Sequence, residues 1–130
     1  MRKTRRSPSS PLRVWIPPKK AREKFLIIYE LEGSQKAVNF LTKYYGVRRM
    51  KIVFNGRRVG NGNIACYFEN RAYFTKRGLK KRTVLHELYH HLVCIKELEL
   101  SSRIEEKDAN NYAREFLKIQ FFSREPVLNA

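Results

Sequence analysis

Apolar residues recur at helical spacing in four stretches of this chain and alternate in one. Residues 19–32 form the first stretch, entered after Pro18 and left at Gly33, which suits a helix. The run Phe25-Leu26-Ile27-Ile28-Tyr29 within it would also suit a buried strand. Ser34 can cap a second helix. Its stripe is Ala37, Val38, Phe40, Leu41, Tyr44 and Tyr45, and Gly46 ends it. Residues 47–76 then change period. Met50–Phe54, Ile64–Phe68 and Ala72–Thr75 read as short strands, with turn signals at Asn55-Gly56, at 60–63 and around Glu69-Asn70-Arg71. A third helix spans Leu79 to about Leu98, capped by Thr83 or an earlier residue, with Leu85, Leu88, Leu92 and Ile95 on one face. A fourth begins at Ser101 or Ser102 and runs to about Phe122, with Pro126 in a tail beyond it. The pattern predicts an α+β fold: two N-terminal helices, a small sheet of three or four mainly antiparallel strands, and two C-terminal helices.

A length of 130 residues suits one domain, expected over residues 21–125. Residues 1–20 are rich in Arg, Ser and Pro and read as a disordered basic arm. Trp15, beside Val14 and Ile16, is expected to pack on the body. No apolar run approaches the roughly 20 residues of a membrane span, and no apolar signal region follows the N-terminal charges. Two distant cysteines, Cys66 and Cys94, fit a reducing compartment, so a cytoplasmic location is expected.

The formal net charge is +16, and its distribution is uneven. Residues 1–24 hold nine Lys/Arg against Glu23 alone, and residues 42–82 hold twelve against Glu69 alone. Five of the twelve acids lie in residues 97–108. Such a surface attracts polyanions, DNA first. The candidate contacts are Arg2, Lys3, Arg5 and Arg6 in the arm and Lys80, Lys81 and Arg82 before the third helix.

The third helix carries the chemistry. His86-Glu87-Leu88-Tyr89-His90 is a His-Glu-x-x-His motif, which places two imidazoles one turn apart on one face. Both can reach one zinc ion, and Glu87 can reach a water beside it. A catalytic zinc takes a third protein ligand. Cys94 and Glu97 are too far along the helix: His86 and Cys94 lie two turns apart, roughly 12 Å. Cys94 is expected to be a small buried residue instead. His91 points roughly 100° away from His90 and is expected to be packed or on the surface. On the fourth helix, the apolar face of Ala109, Tyr112, Ala113, Phe116, Leu117 and Gln120 extends back to Glu105 and Glu106, while Asp108 falls off it. The helical wheel does not choose between the two glutamates.

The segment Glu106-Lys107-Asp108-Ala109-Asn110-Asn111-Tyr112-Ala113-Arg114-Glu115-Phe116-Leu117 resembles a signature of the ImmA/IrrE family, Glu-x-x-Ala-Asn-x-Phe-Ala-x-x-Leu-Leu. These are zinc peptidases of the gluzincin type. Arg82 to His90 is similar to the family's basic lead-in to His-Glu-Leu-Gly-His, with Tyr89 in place of Gly. The order of elements is similar over roughly residues 34–120. The resemblance implies a zincin-like domain in which Glu106 is the third ligand of one zinc ion, beside His86 and His90. It also implies Glu87 as general base and substrates that are typically DNA-bound repressors. Tyr73, Tyr89 and Arg82 are candidate donors to a developing oxyanion. The expected function is therefore zinc-dependent hydrolysis of a protein or peptide. The alternative is a basic nucleic-acid-binding protein on a zincin scaffold, with a structural or vestigial metal.

Overall fold

The computed structural model describes residues 15–55, 59 and 65–129, with residues 119–129 as backbone only. The described chain runs α1 (Lys19–Glu32), α2 (Ser34–Tyr45), β1 (Lys51–Phe54), β2 (Ala65–Phe68), β3 (Arg71–Phe74), α3 (Lys81–Ile95) and α4 (Ser102–Asn129). The fold is α+β. Residues 1–14 lie outside the described residues, but Trp15 is buried in the core and α1 begins at Lys19. Trp15 thus packs on the body, and the first helix spans 19–32, as the sequence led us to expect.

Gly33 joins α1 to α2 at a φ of 98°, and Gly46 closes α2 at a φ of 72°, both in the region that favours glycine. Ser34 is the first residue of α2 and makes no capping bond; the Gly33 backbone occupies the cap position instead. At α3, the Thr83 hydroxyl accepts from the Lys80 N–H at 3.1 Å and donates to the Gly78 carbonyl. The Ser101 hydroxyl caps α4 by accepting from the Ile104 N–H at 3.2 Å. α4 continues through Pro126 to Asn129, beyond the end expected near Phe122. A proline inside a helix forfeits one backbone hydrogen bond and crowds the carbonyl four residues back, so α4 carries a local cost of about 3 kcal/mol there.

The three described strands are ordered β1-β3-β2. β2 and β3 form an antiparallel hairpin, and β1 pairs with β3 in parallel. The sheet is thus mixed, not mainly antiparallel. Glu69 and Asn70 form the hairpin turn with φ of 46° and 67°, the twin positive values of a tight turn that matches strand twist. The signal at Asn55-Gly56 made no hairpin between β1 and β2. β3 sits at the centre, which explains its burial: Ala72 and Phe74 are fully covered and Tyr73 nearly so.

α3 packs chiefly on α4, and α1 packs on α2. Phe25, Leu41, Met50, Leu85, Leu88, Leu92 and Phe116 fill the space between the helices and the sheet. An aromatic cluster joins the layers. Tyr89 lies against Trp15 at 5.3 Å and Tyr112 at 5.6 Å between ring centroids. The Tyr112 hydroxyl donates to Tyr45 at 2.7 Å, and Tyr45 donates to the Trp15 carbonyl. Burial pushes both phenol pKa values up, so both stay protonated donors. No helix among the described residues is long and apolar enough to cross a membrane.

Candidate metal centre

The spacing of His86 and His90 on α3 sets the site. Leu85, Leu88 and Leu92 anchor one face of the helix in the core, so the two histidines project from an adjacent face toward α4. Their rings lie 4.9 Å apart, and their Nε2 atoms face each other at 3.2 Å. The first turns of α4 bring two glutamates up to them. Glu106 places Oε1 3.2 Å from His86 Nε2 and Oε2 2.8 Å from His90 Nε2. Glu105 meets the far side of the second ring, with Oε2 2.6 Å from His90 Nδ1.

The hydrogen-bonding roles follow from this geometry. Glu105 accepts the Nδ1 proton of His90, which leaves the Nε2 lone pair pointing at His86 and Glu106. His86 Nε2, His90 Nε2 and the Glu106 carboxylate then converge on one point, an arrangement that a proton or a cation between them stabilises. His86, His90 and Glu106 offer ligand atoms that all lie within 4.8 Å of one another. Tetrahedral coordination with bonds of roughly 2.0–2.1 Å would put ligand atoms roughly 3.3 Å apart, so contacts of 2.8 and 3.2 Å fit that demand. These three residues form a group that could hold a metal ion.

The periodicity left Glu105 and Glu106 equivalent, and the structure gives them different places. Glu106 faces both imidazole Nε2 atoms, whereas Glu105 buttresses one ring from behind, as the outer partners of metal-bound histidines do. The buttress was not read from the sequence, although the adjacent acids were its signal. Asn110, one turn beyond Glu106, is a second missed residue. Its side chain hydrogen-bonds His86 and opposes the lowering of that ring's pKa, which burial and then the neighbouring His90 cause.

Glu87 is nearly buried beside this cluster. Burial raises its carboxyl pKa to about 7, with Glu106 pushing the same way and His90 opposing. A cleft of about 1150 Å³ opens onto the group, lined by β2 residues 65–67, by Lys80, Arg82 and Thr83, and by Glu97 and Leu98. Of the three candidate oxyanion donors, only Arg82 lines this cleft. Tyr89 is fully buried and donates its hydroxyl to Asp108 Oδ2 at 3.2 Å, and Tyr73 lies in the central strand.

Other predicted residues go elsewhere. Cys94 is exposed at the cleft wall, which corrects the expectation of burial: its helical position falls on the face that His90 shares, not on the leucine face. His91 is fully buried between α3 and the sheet, where Nδ1 accepts from the Tyr67 hydroxyl at 2.9 Å and Nε2 donates to the Arg48 carbonyl at 2.7 Å. Lys81 pairs with Glu30 and stands 5.4 Å from the Tyr29 ring centre. Lys80 and Arg82 are exposed. Arg2, Lys3, Arg5 and Arg6 lie outside the described residues.

No protein-family model, curated protein or solved structure matches this chain. The functional reading therefore rests on the geometry and on the motifs.

Proposed function

We propose that this chain is a zinc-dependent peptidase with a zincin-like domain, similar in its motifs to the ImmA/IrrE family. The carrying observation is the meeting of His86, His90 and Glu106 at one point, with Glu87 buried beside them at the wall of an open cleft. Zinc suits two imidazoles and a carboxylate, and bound there it would supply a Lewis acid that activates water and polarises a carbonyl.

The chain's own residues do the rest. Glu87 is a base whose affinity for protons is tuned near neutrality, so it can take a proton from water and pass it to the leaving amine. Glu105 holds the His90 ring in one tautomer. Arg82 can donate to the oxygen on which charge develops. β2 pairs only with β3 among the described strands, and its residues 65–67 line the cleft. An extended substrate segment can therefore add to its outer edge by backbone hydrogen bonds. The basic surface would bring the enzyme near DNA, where a DNA-bound regulator is the fitting target.

Metal content and peptide hydrolysis test the reading together. The wild type should hold one zinc ion per chain and hydrolyse unstructured peptides. Glu87→Gln should keep the ion and lose on the order of 10²–10⁴ in rate. A chain that takes up no stoichiometric metal sinks the proposal.

The net charge of +16 and the exposed Lys80 and Arg82 favour a second reading, nucleic-acid binding with a vestigial metal. That reading predicts DNA binding whose salt dependence flattens when residues 1–14 are removed. It also predicts no hydrolysis by the zinc-loaded protein.

A further inference from the structure

α3 runs along the cleft, and the charges that face the cleft at its two ends oppose the helix's own dipole. A helix is stabilised by acids in its first turn and bases in its last, and α3 has neither. Lys80 and Arg82 stand at its positive end, and Glu97 stands just past its negative end. All three are exposed and all three line the cleft. The neighbouring cations behave differently. Lys81 is paired with Glu30, and Lys96, which suits the helix end, is not part of the cleft lining.

Glu97 breaks a second rule. Its N–H bonds the Cys94 carbonyl at 3.1 Å, and the Leu98 N–H bonds the Val93 carbonyl at 3.1 Å. This is the helix ending whose left-handed residue is ordinarily glycine. Glu97 holds that place at a φ of 54°, with a side chain that costs backbone strain. Three positions thus work against helix stability, and all of them face one cavity, on either side of His86 and His90.

We propose that the cleft reads charge along an extended peptide, with an acidic group held by Lys80 and a basic group held by Glu97. This rests on the peptidase reading above and adds its substrate class: peptides with an acid on one side of the cleaved bond and a base on the other. Lys80 and Glu97 are separated by about 25 Å of helix, which an extended peptide covers in about seven or eight residues. The metal centre falls near the middle of that span.

The test uses quenched fluorescent peptides of about ten residues carrying one Glu and one Lys near opposite ends, in both orders. The zinc-loaded wild type should prefer one order by about five-fold in kcat/KM, the scale of two exposed ion pairs. Lys80→Glu combined with Glu97→Lys should invert that preference. Both changes suit the dipole of α3, so the fold should hold. Glu97→Gly should weaken the preference while raising the melting temperature by a few degrees, a combination that a purely structural Glu97 would not give. Equal cleavage of the two orders, or a preference that the double variant leaves unchanged, overturns the charge reading and leaves the peptidase standing. Failure of the wild type to cleave any peptide counts against the peptidase, and binding of the same peptides to Glu87→Gln then decides. Equal affinity for the two orders, or no binding, overturns the charge reading there as well.

Discussion

His90 and His91 are neighbours in sequence, yet they occupy opposite electrostatic worlds on the two sides of α3. On the sheet side, every polar atom of His91 is matched: one nitrogen donates to Arg48 and the other accepts from Tyr67, whose oxygen also accepts from the Asn70 N–H at 3.0 Å. On the cleft side, His86 Nε2, His90 Nε2 and the Glu106 carboxylate crowd one point. A histidine that completes a hydrogen-bond network holds a fold together. A cluster that brings two imidazole nitrogens and a carboxylate to one point has room for something positively charged. The difference separates a histidine spent on the fold from one that could hold a metal ion, without reference to the motif.

The comparison breaks most decisively through Glu106. Glu106→Ala should lower zinc affinity at least about a hundred-fold, read by competition with a chromophoric chelator. His91→Phe should leave that affinity within about three-fold and instead destabilise the fold by about 2–4 kcal/mol, because it strands the Arg48 carbonyl and the Tyr67 hydroxyl. Equal loss of metal in the two variants would erase the distinction.

Acidity sharpens it next. In metal-free protein, burial raises the Glu87 carboxyl to about 7 from an ordinary value near 4.5. The folded state then binds this proton more tightly than the unfolded chain does. The stability linked to it is complete below the unfolded value and disappears as pH rises through about 7, a loss of about 3 kcal/mol. His86, whose pKa burial lowers, acts oppositely and destabilises the folded state as pH falls below its ordinary value. Glu87→Gln removes only the first effect, so chelator-treated wild type and variant should differ most in denaturant midpoint above neutral pH. Parallel pH profiles for the two would refute the assignment.

A smaller effect is expected at Glu105. Glu105→Gln keeps an acceptor for the His90 Nδ1 proton but removes its charge, and should weaken zinc binding by about ten-fold. An unchanged affinity would reduce Glu105 to a surface acid.

Much of this was legible from local signals. Pro18, Gly33 and Gly46 mark helix ends by backbone chemistry that acts within a few residues, and α1 and α2 fall between them. The two histidines and the two glutamates were visible because helical period fixes direction. What the sequence withheld was non-local. Nothing near β1 says that it will lie parallel to β3, since that choice depends on the burial of Ala72 and Phe74 in the central strand. Asn55-Gly56 carried a strong turn signal, yet the described hairpin turns at Glu69-Asn70. The exposure of Cys94 depends on which face of α3 the cleft opens along, and the different duties of Glu105 and Glu106 depend on where α4 begins.

Trp15 is a wedge at the back of the metal helix. Its ring touches Tyr89, which sits between the two cleft histidines in sequence and reaches Asp108, two residues beyond Glu106, with its hydroxyl. One indole thus supports α3 directly and α4 through Tyr89, from the side away from the cleft. A change at Trp15 is therefore felt, through a single ring, where the two helices meet behind the cleft.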